Sequence, residues 1–161
     1  MPQSYTCLHY HLVFSTKNRA TTITAEIRPR LWEYLGGIVR GERGIPIEVG
    51  GTDDHVHLLV TLRQDQALSE FLKKLKAGSS KWVHEPFPDS RGFWWQTGYG
   101  AFTVSHSGID AVKAYILTQE EHHKERTFQE EFLTLLVKHE IAFDEKYLWG
   151  CTPSPLQGFG W

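Results

Sequence analysis

The chemistry of this chain gathers in one stretch, Asp53-Asp54-His55-Val56-His57-Leu58-Leu59-Val60-Thr61-Leu62. Read with the two-residue period of a strand, Val56, Leu58, Val60 and Leu62 make a continuous apolar face. His55 and His57 open the opposite face, about 7 Å apart along the strand and pointing the same way. Burial of Val56 between them fixes that orientation. Two neutral imidazole nitrogens so placed can share one divalent cation. The spacing alone is not specific, since the chain has nine histidines and His9-Tyr10-His11 repeats the pattern.

A second set lies farther along. Tyr115 and Gln119 are four residues apart and share one helix face, which His122 continues. That face is distinct from the Ile109/Val112/Ile116 stripe. The Tyr115 hydroxyl is therefore expected to escape full burial and to reach the sheet face that bears the histidines. A packing tyrosine beside a surface glutamine has the same spacing.

The elements that must position these groups follow from periodicity. Leu8 to Ser15 reads as a strand with Tyr10, Leu12 and Phe14 on the core face, followed by the basic turn Thr16-Lys17-Asn18-Arg19. A helix capped by Thr24 carries Ile27, Leu31, Leu35 and Ile38, with Pro29 kinking its first turn or delaying its start. Ile45, Ile47 and Val49 form a second strand, placed at an edge by Pro46, and a Gly50-Gly51 turn leads to the His55 strand. A second helix from Ala67 uses Leu68, Phe71, Leu72 and Leu75, and sets Lys73, Lys74, Lys76 and Lys81 on its other face. Phe102 and Val104 mark a fourth strand. Ser107 with Asp110 reads as the cap of a third helix running to Arg126, and Thr127 with Glu130 caps a fourth that buries Phe132, Leu135 and Leu136. The segment 150–161 reads as a loop or disordered tail after a single domain over 1–149.

This order is that of a ferredoxin-like α+β fold, a βαββαβ antiparallel sheet with helices on its faces and further helices at the C-terminal end. Its first and third strands are central neighbours, which sets His9/His11 beside His55/His57.

Composition narrows the function. With 161 residues, 40% hydrophobic and 22% charged, the chain is of ordinary globular type. It shows no apolar run able to span a bilayer and no signal-peptide pattern, so a cytoplasmic location is expected. Cys7 and Cys151 are far apart and suggest no metal or disulfide framework. A net charge of −2 is not the bulk signature of a nucleic-acid binder, so any such binding must use a local patch.

Several segments together resemble the one-tyrosine HUH transposases of small single-strand insertion sequences, of the IS200-like type. They are His11-Leu12-Val13-Phe14-Ser15-Thr16-Lys17-Asn18-Arg19, Asp54-His55-Val56-His57-Leu58-Leu59-Val60, Leu75-Lys76-Ala77-Gly78-Ser79-Ser80, Trp95-Gln96-Thr97-Gly98-Tyr99-Gly100-Ala101-Phe102, Tyr115-Ile116-Leu117-Thr118-Gln119 and Glu121-His122-His123. They occur in the expected order from about Tyr10 to Trp149.

The resemblance implies that His55, His57 and Gln119 hold a divalent metal, Mg²⁺ or Mn²⁺, and that Tyr115 is the nucleophile. It also implies cleavage and rejoining of single-stranded DNA at hairpin-marked element ends, through a 5′-phosphotyrosine intermediate, by a homodimer. Lys17, Arg19, Lys73, Lys74, Lys76 and Lys81 are the candidate DNA contacts. Two other classes fit the residues: a non-catalytic hairpin-binding module, and a water-using nuclease built on His55, His57 and Asp54.

Overall fold

A computed structural model describes residues 3–90, 92–144 and 148–149; the 150–161 tail lies outside the described residues. Strand β1 (His9–Ser15) leads to helix α1 (Ile27–Gly41), then β2 (Ile45–Gly51), β3 (His55–Thr61), α2 (Leu68–His84), β4 (Gly100–Val104), α3 (Ile109–Leu117), α4 (Gln119–His122) and α5 (Phe128–Lys138). The four strands are antiparallel in the order β2-β3-β1-β4. This is the expected α+β ferredoxin-like topology, with β1 and β3 at the centre and Pro46 on an edge strand beside a register shift.

The alternation of β1 and β3 divides the molecule into two layers. Leu12, Phe14, Val56, Leu58 and Val60 point to one face, where α1 and α2 bury Leu31, Leu35, Val39, Phe71, Leu72 and Leu75 against them. Each such fully buried side chain contributes roughly 1.5–3 kcal/mol. The other face carries His9, His11, Val13 and Ser15 opposite Thr61, Leu59, His57 and His55, and α3 to α5 lie over it.

Local capping departs from the expectations in places. Thr24 accepts the Ile27 N–H through Oγ1 at 3.4 Å, and Pro29 fits the first helical turn, where no intrahelical N–H bond is lost. Thr127 accepts from the Glu130 N–H as the capping box requires. Ser107 does not cap α3: it lies inside a 3-10 turn, His106–Gly108, which feeds the helix directly. Nor does the third helix run to Arg126. It breaks at Thr118, whose backbone leaves helical geometry (φ −103°, ψ 21°) and whose Oγ1 donates back to the Ala114 carbonyl. Of the expected Ile109/Val112/Ile116 stripe only Ile116 is fully buried, because α3 rests on the sheet near its C-terminal end.

Two glycines allow the second layer to sit so close. Gly50 pairs with His57 across β2 and β3, and a Cβ there would meet Ile116 Cγ2 at 2.8 Å and the Ile116 carbonyl at 2.9 Å. Gly100 pairs with Val13, and a Cβ there would meet the Phe132 ring at 2.7 Å. The missing side chains let the backbone of α3 and the ring from α5 approach the histidine face. Gly50→Ala is expected to cost about 1–3 kcal/mol through overpacking against α3. Urea denaturation checks it, and a variant as stable as the parent would show that α3 is not held at this distance.

Candidate metal and tyrosine site

His55 and His57 are fully buried on the α3–α5 side of β3, and a carboxylate absent from the sequence expectations meets them there. Glu131, on the first turn of α5 and 1% exposed, has Oε1 at 2.9 Å from His57 Nε2, 3.4 Å from His55 Nε2 and 3.1 Å from His123 Nε2. Its other oxygen, Oε2, accepts from the Gln119 amide at 3.0 Å and from the Tyr115 hydroxyl in a short hydrogen bond. Gln119, also 1% exposed, turns its amide oxygen to His55 Nε2 at 2.9 Å. Tyr115 is half-buried. The break at Thr118 does not separate Tyr115 from Gln119; both reach one carboxylate.

The remaining neighbours orient the rings. Asp54 Oδ1 accepts from His55 Nδ1 at 2.7 Å, and Thr52 Oγ1 lies 3.0 Å from the same nitrogen, so Nε2 is the atom turned to the site. Asp54 thus braces the back of His55 and does not converge with Glu131. His11 Nε2 stands 2.7 Å from His57 Nδ1, with the two rings stacked.

Charge follows from these contacts. Burial opposes the Glu131 charge, but hydrogen bonds from His123, His55 and His57 outweigh it and hold the carboxyl well below the usual carboxylate range. Burial also works against a charged His55, yet its bonds to Asp54 and Glu131 raise it to about 9. For His57 burial wins and pulls the imidazole down to about 4, and His11 is likewise lowered by burial and by His57. Burial, then Glu131, pushes the Tyr115 hydroxyl above its ordinary value. Near neutral pH the site is thus a His55 imidazolium against a Glu131 carboxylate. A neutral His57 then donates through Nε2 to Glu131 and accepts at Nδ1 from His11.

The donor set suits a cation. One donor atom each from His55, His57 and Glu131 lies within 4.8 Å of the others, all three residues buried. The separations of 2.9 and 3.4 Å between Glu131 Oε1 and the imidazole nitrogens are close to the roughly 3 Å between adjacent vertices of an octahedral Mg²⁺ or Mn²⁺ site. The Gln119 oxygen adds a fourth donor.

The basic residues are dispersed. Lys73, Lys74 and Lys81 are exposed on α2, which packs on the opposite face of the sheet from the histidines, and Lys74 pairs with Glu42 at 3.2 Å. Lys76 donates to the Gln96 and Gly98 carbonyls at 2.6 Å each, and burial pulls its ammonium down to about 8. It fastens the 96–98 segment to α2. Lys17 and Arg19 lie in the turn after β1, with the Arg19 guanidinium 5.4 Å from the Trp149 ring centroid.

This geometry coincides with sequence similarity. Residues 4–119 match the family model described as "Transposase IS200 like". The chain belongs to the IS200-like transposase family. The ISDra2 transposase TnpA of Deinococcus radiodurans is 32% identical over 125 residues, covering 73% of this chain and 86% of that protein. The transposase for insertion sequence element IS200 of Salmonella typhimurium is 29% identical over 121 residues, covering 71% of this chain and 78% of that protein. Among solved structures, a Deinococcus radiodurans protein classed as a transposase aligns with TM-score 0.59 and 26% identity, over 74% of this chain and 96% of its own. A tyrosine transposase bound to a REP hairpin shares the fold, with TM-score 0.57 and 13% identity over 76% and 73% of the two chains.

The match to the IS200-like family model ends at Gln119, twelve residues before Glu131. Glu131 had one sequence signal. It falls on the Phe128/Phe132/Leu135 stripe of an amphipathic helix, where an acidic side chain needs a buried partner. His11 was legible from the central pairing of the first and third strands, whereas His123 was marked only by lying in a segment of the family resemblance.

Two titrations bound the stability of the metal-free IS200-like protein. His55 is raised above its unfolded value, so its contribution is complete below about pH 6.5 and is lost as pH rises through about 9. His57 is depressed, so its contribution is present above about pH 6.5 and lost as pH falls through about 4. Urea midpoints should therefore peak near pH 6.5, and Glu131→Gln should flatten the alkaline limb. Cation binding must also displace the His55 proton, so apparent Mn²⁺ affinity should rise up to about tenfold per pH unit below pH 9. Calorimetry at several pH values measures it; a pH-independent affinity would place the ion elsewhere.

Proposed function

We propose that this transposase cleaves and rejoins single-stranded DNA at hairpin-marked ends, with Tyr115 as nucleophile and a divalent ion held by His55, His57, Gln119 and Glu131. One observation carries the reading: the Tyr115 hydroxyl and the His57 imidazole share the Glu131 carboxylate within a single chain. A tyrosine fixed against candidate metal ligands is the arrangement that phosphoryl transfer to a side chain needs.

The residues divide the work. Glu131, ionised and hydrogen-bonded to the hydroxyl, holds and aims the Tyr115 oxygen, whose proton passes to solvent as it attacks phosphorus. A Tyr115 Oη–P bond forms, the P–O3′ bond breaks, and the 3′ oxygen leaves and takes up a proton. The covalent phosphodiester preserves the bond energy for rejoining, when a 3′ hydroxyl attacks and the tyrosine is restored. Asp54 and Thr52 hold His55 in register, and His11 does so for His57. The ion, Mg²⁺ or Mn²⁺, supplies Lewis-acid polarisation of the scissile phosphate when bound. His55, His57, Gln119 and Glu131 are each at most 1% exposed, so a phosphate enters only when the contacts over Glu131 open.

Strand contacts through Lys17, Arg19, Lys73, Lys74, Lys76 and Lys81 belong to the same proposal, with Lys76 acting through the 96–98 segment that it anchors. A homodimer also belongs to it: Leu117, on the tyrosine helix, is 65% exposed and available to a second copy.

The decisive experiment is incubation with hairpin-containing single-stranded DNA and Mn²⁺, followed by denaturing electrophoresis for a protein–DNA adduct. Tyr115→Phe is expected to abolish cleavage, adduct and joining together, while costing about 1.5–3 kcal/mol of stability through one lost charge-assisted bond. Glu131→Gln should lower cleavage by about 10–100-fold and weaken Mn²⁺ binding with it, since one carboxylate is proposed to serve the ion and to hold the hydroxyl. Cleavage by Tyr115→Phe at the parent rate would pass the reaction to water or another tyrosine.

A further inference from the structure

A second group of ligating side chains gathers where the chain enters β1. His9, left without a role by the tyrosine chemistry, lies on the same sheet face as His11 but at the opposite end of β1 from Ser15, the partner of His55. Its Nε2 lies 3.1 Å from Cys7 Sγ and 3.2 Å from His106 Nδ1, and Cys7 Sγ is 3.9 Å from that same His106 nitrogen. We propose that Cys7, His9 and His106 form a second metal site, selective for a zinc-class ion and separate from the site at Tyr115.

The three ligating atoms stand close to the spacing such an ion needs, and small side-chain rotations at exposed Cys7 and His106 would complete it. In a tetrahedral zinc site, with Zn–S about 2.3 Å and Zn–N about 2.0–2.1 Å, sulfur and nitrogen ligands stand about 3.6 Å apart and two nitrogens about 3.3 Å apart. The observed sulfur–nitrogen separations of 3.1 and 3.9 Å straddle the first value, and the nitrogen–nitrogen separation of 3.2 Å matches the second. His9 is also pre-set as a ligand. Its Nδ1 lies 2.7 Å from Thr61 Oγ1, so an Nδ1–H donated to the hydroxyl leaves the Nε2 lone pair for the ion.

Chemistry separates the two sites. A thiolate with two imidazoles is a borderline-soft set that favours Zn²⁺ or Co²⁺ over Mg²⁺ and Mn²⁺, whereas the site at Tyr115 offers carboxylate and amide oxygens. Binding converts the Cys7 thiol to a metal-bound thiolate and releases its proton. Cys7 and His106 are exposed while His9 is 9% exposed, so the ion enters from solvent and water completes the fourth position. The ion would tie the segment before β1 to the 3-10 turn His106–Gly108, and so to the start of the helix that carries Tyr115.

Cobalt titration of the full-length protein, first stripped with a chelator, tests the assignment. Co²⁺ should give a thiolate-to-metal charge-transfer band that Zn²⁺ abolishes and Mg²⁺ does not. The band should vanish in Cys7→Ser, weaken in His106→Ala, and persist in both Cys151→Ser and His57→Ala. Because Cys7 and His106 are exposed, both variants should melt like the parent in the presence of chelator. No charge-transfer band in the parent, a band that survives Cys7→Ser, or a band lost in Cys151→Ser would overturn the proposal. Loss of the band in His57→Ala would also overturn it, because the ion would then belong to the site at Tyr115.

Discussion

The buried Glu131 carboxylate is the constraint on which the site depends. Removing an ionised carboxylate from water costs several kcal/mol unless donors replace the solvent. Five side chains from three parts of the chain do so here: His55 and His57 from β3, Tyr115 from α3, and Gln119 and His123 from the α4 region. The charge that gathers these groups is also what would hold a cation and fix the tyrosine hydroxyl beside it. The interaction that closes the second layer over the sheet is therefore also the one that joins Tyr115 to the candidate metal ligands.

The sheet separates support from reaction. Its first face is filled with aliphatic and aromatic side chains from α1 and α2, and those contacts hold β1 and β3 side by side. Its second face is lined by histidines and reached by α3 and α5 through the gaps at Gly50 and Gly100. Such a division suits metal and nucleophile chemistry, because ligands on central strands inherit the rigidity of the core. The exposed lysines of α2 lie on the supporting side, on the other layer from Tyr115.

The alternation that aims His55 and His57 into the site also aims His11 and His9 along the same face. His11 supports His57 from behind, while His9 lies farther along β1, beside Cys7 and His106. One strand period thus supplies ligands to one cluster and a positioning residue to the other. Donor type distinguishes the clusters: oxygen enters the first through Glu131 and Gln119, and sulfur enters the second through Cys7.

Short-range pattern by itself determined a good deal. The two-residue alternation at His55-Val56-His57 set both imidazoles on one face, because a strand has no other way to bury Val56, Leu58 and Val60 together. The order of elements and the edge proline were enough for the βαββαβ sheet, and the four-residue spacing of Tyr115 and Gln119 set both toward one side even though the helix breaks between them at Thr118. Only tertiary structure decided which groups meet. Glu131 is twelve residues beyond Gln119, past the break at Thr118 and the turn that opens α5, and its place over His57 depends on how α5 packs on Val13 and Phe102. The Cys7, His9 and His106 cluster was hidden for the same reason: ninety-nine residues separate its ends, and β1 pairing with β4 brings them together. Periodicity encodes the face a side chain takes, but not which distant segment will be packed against that face.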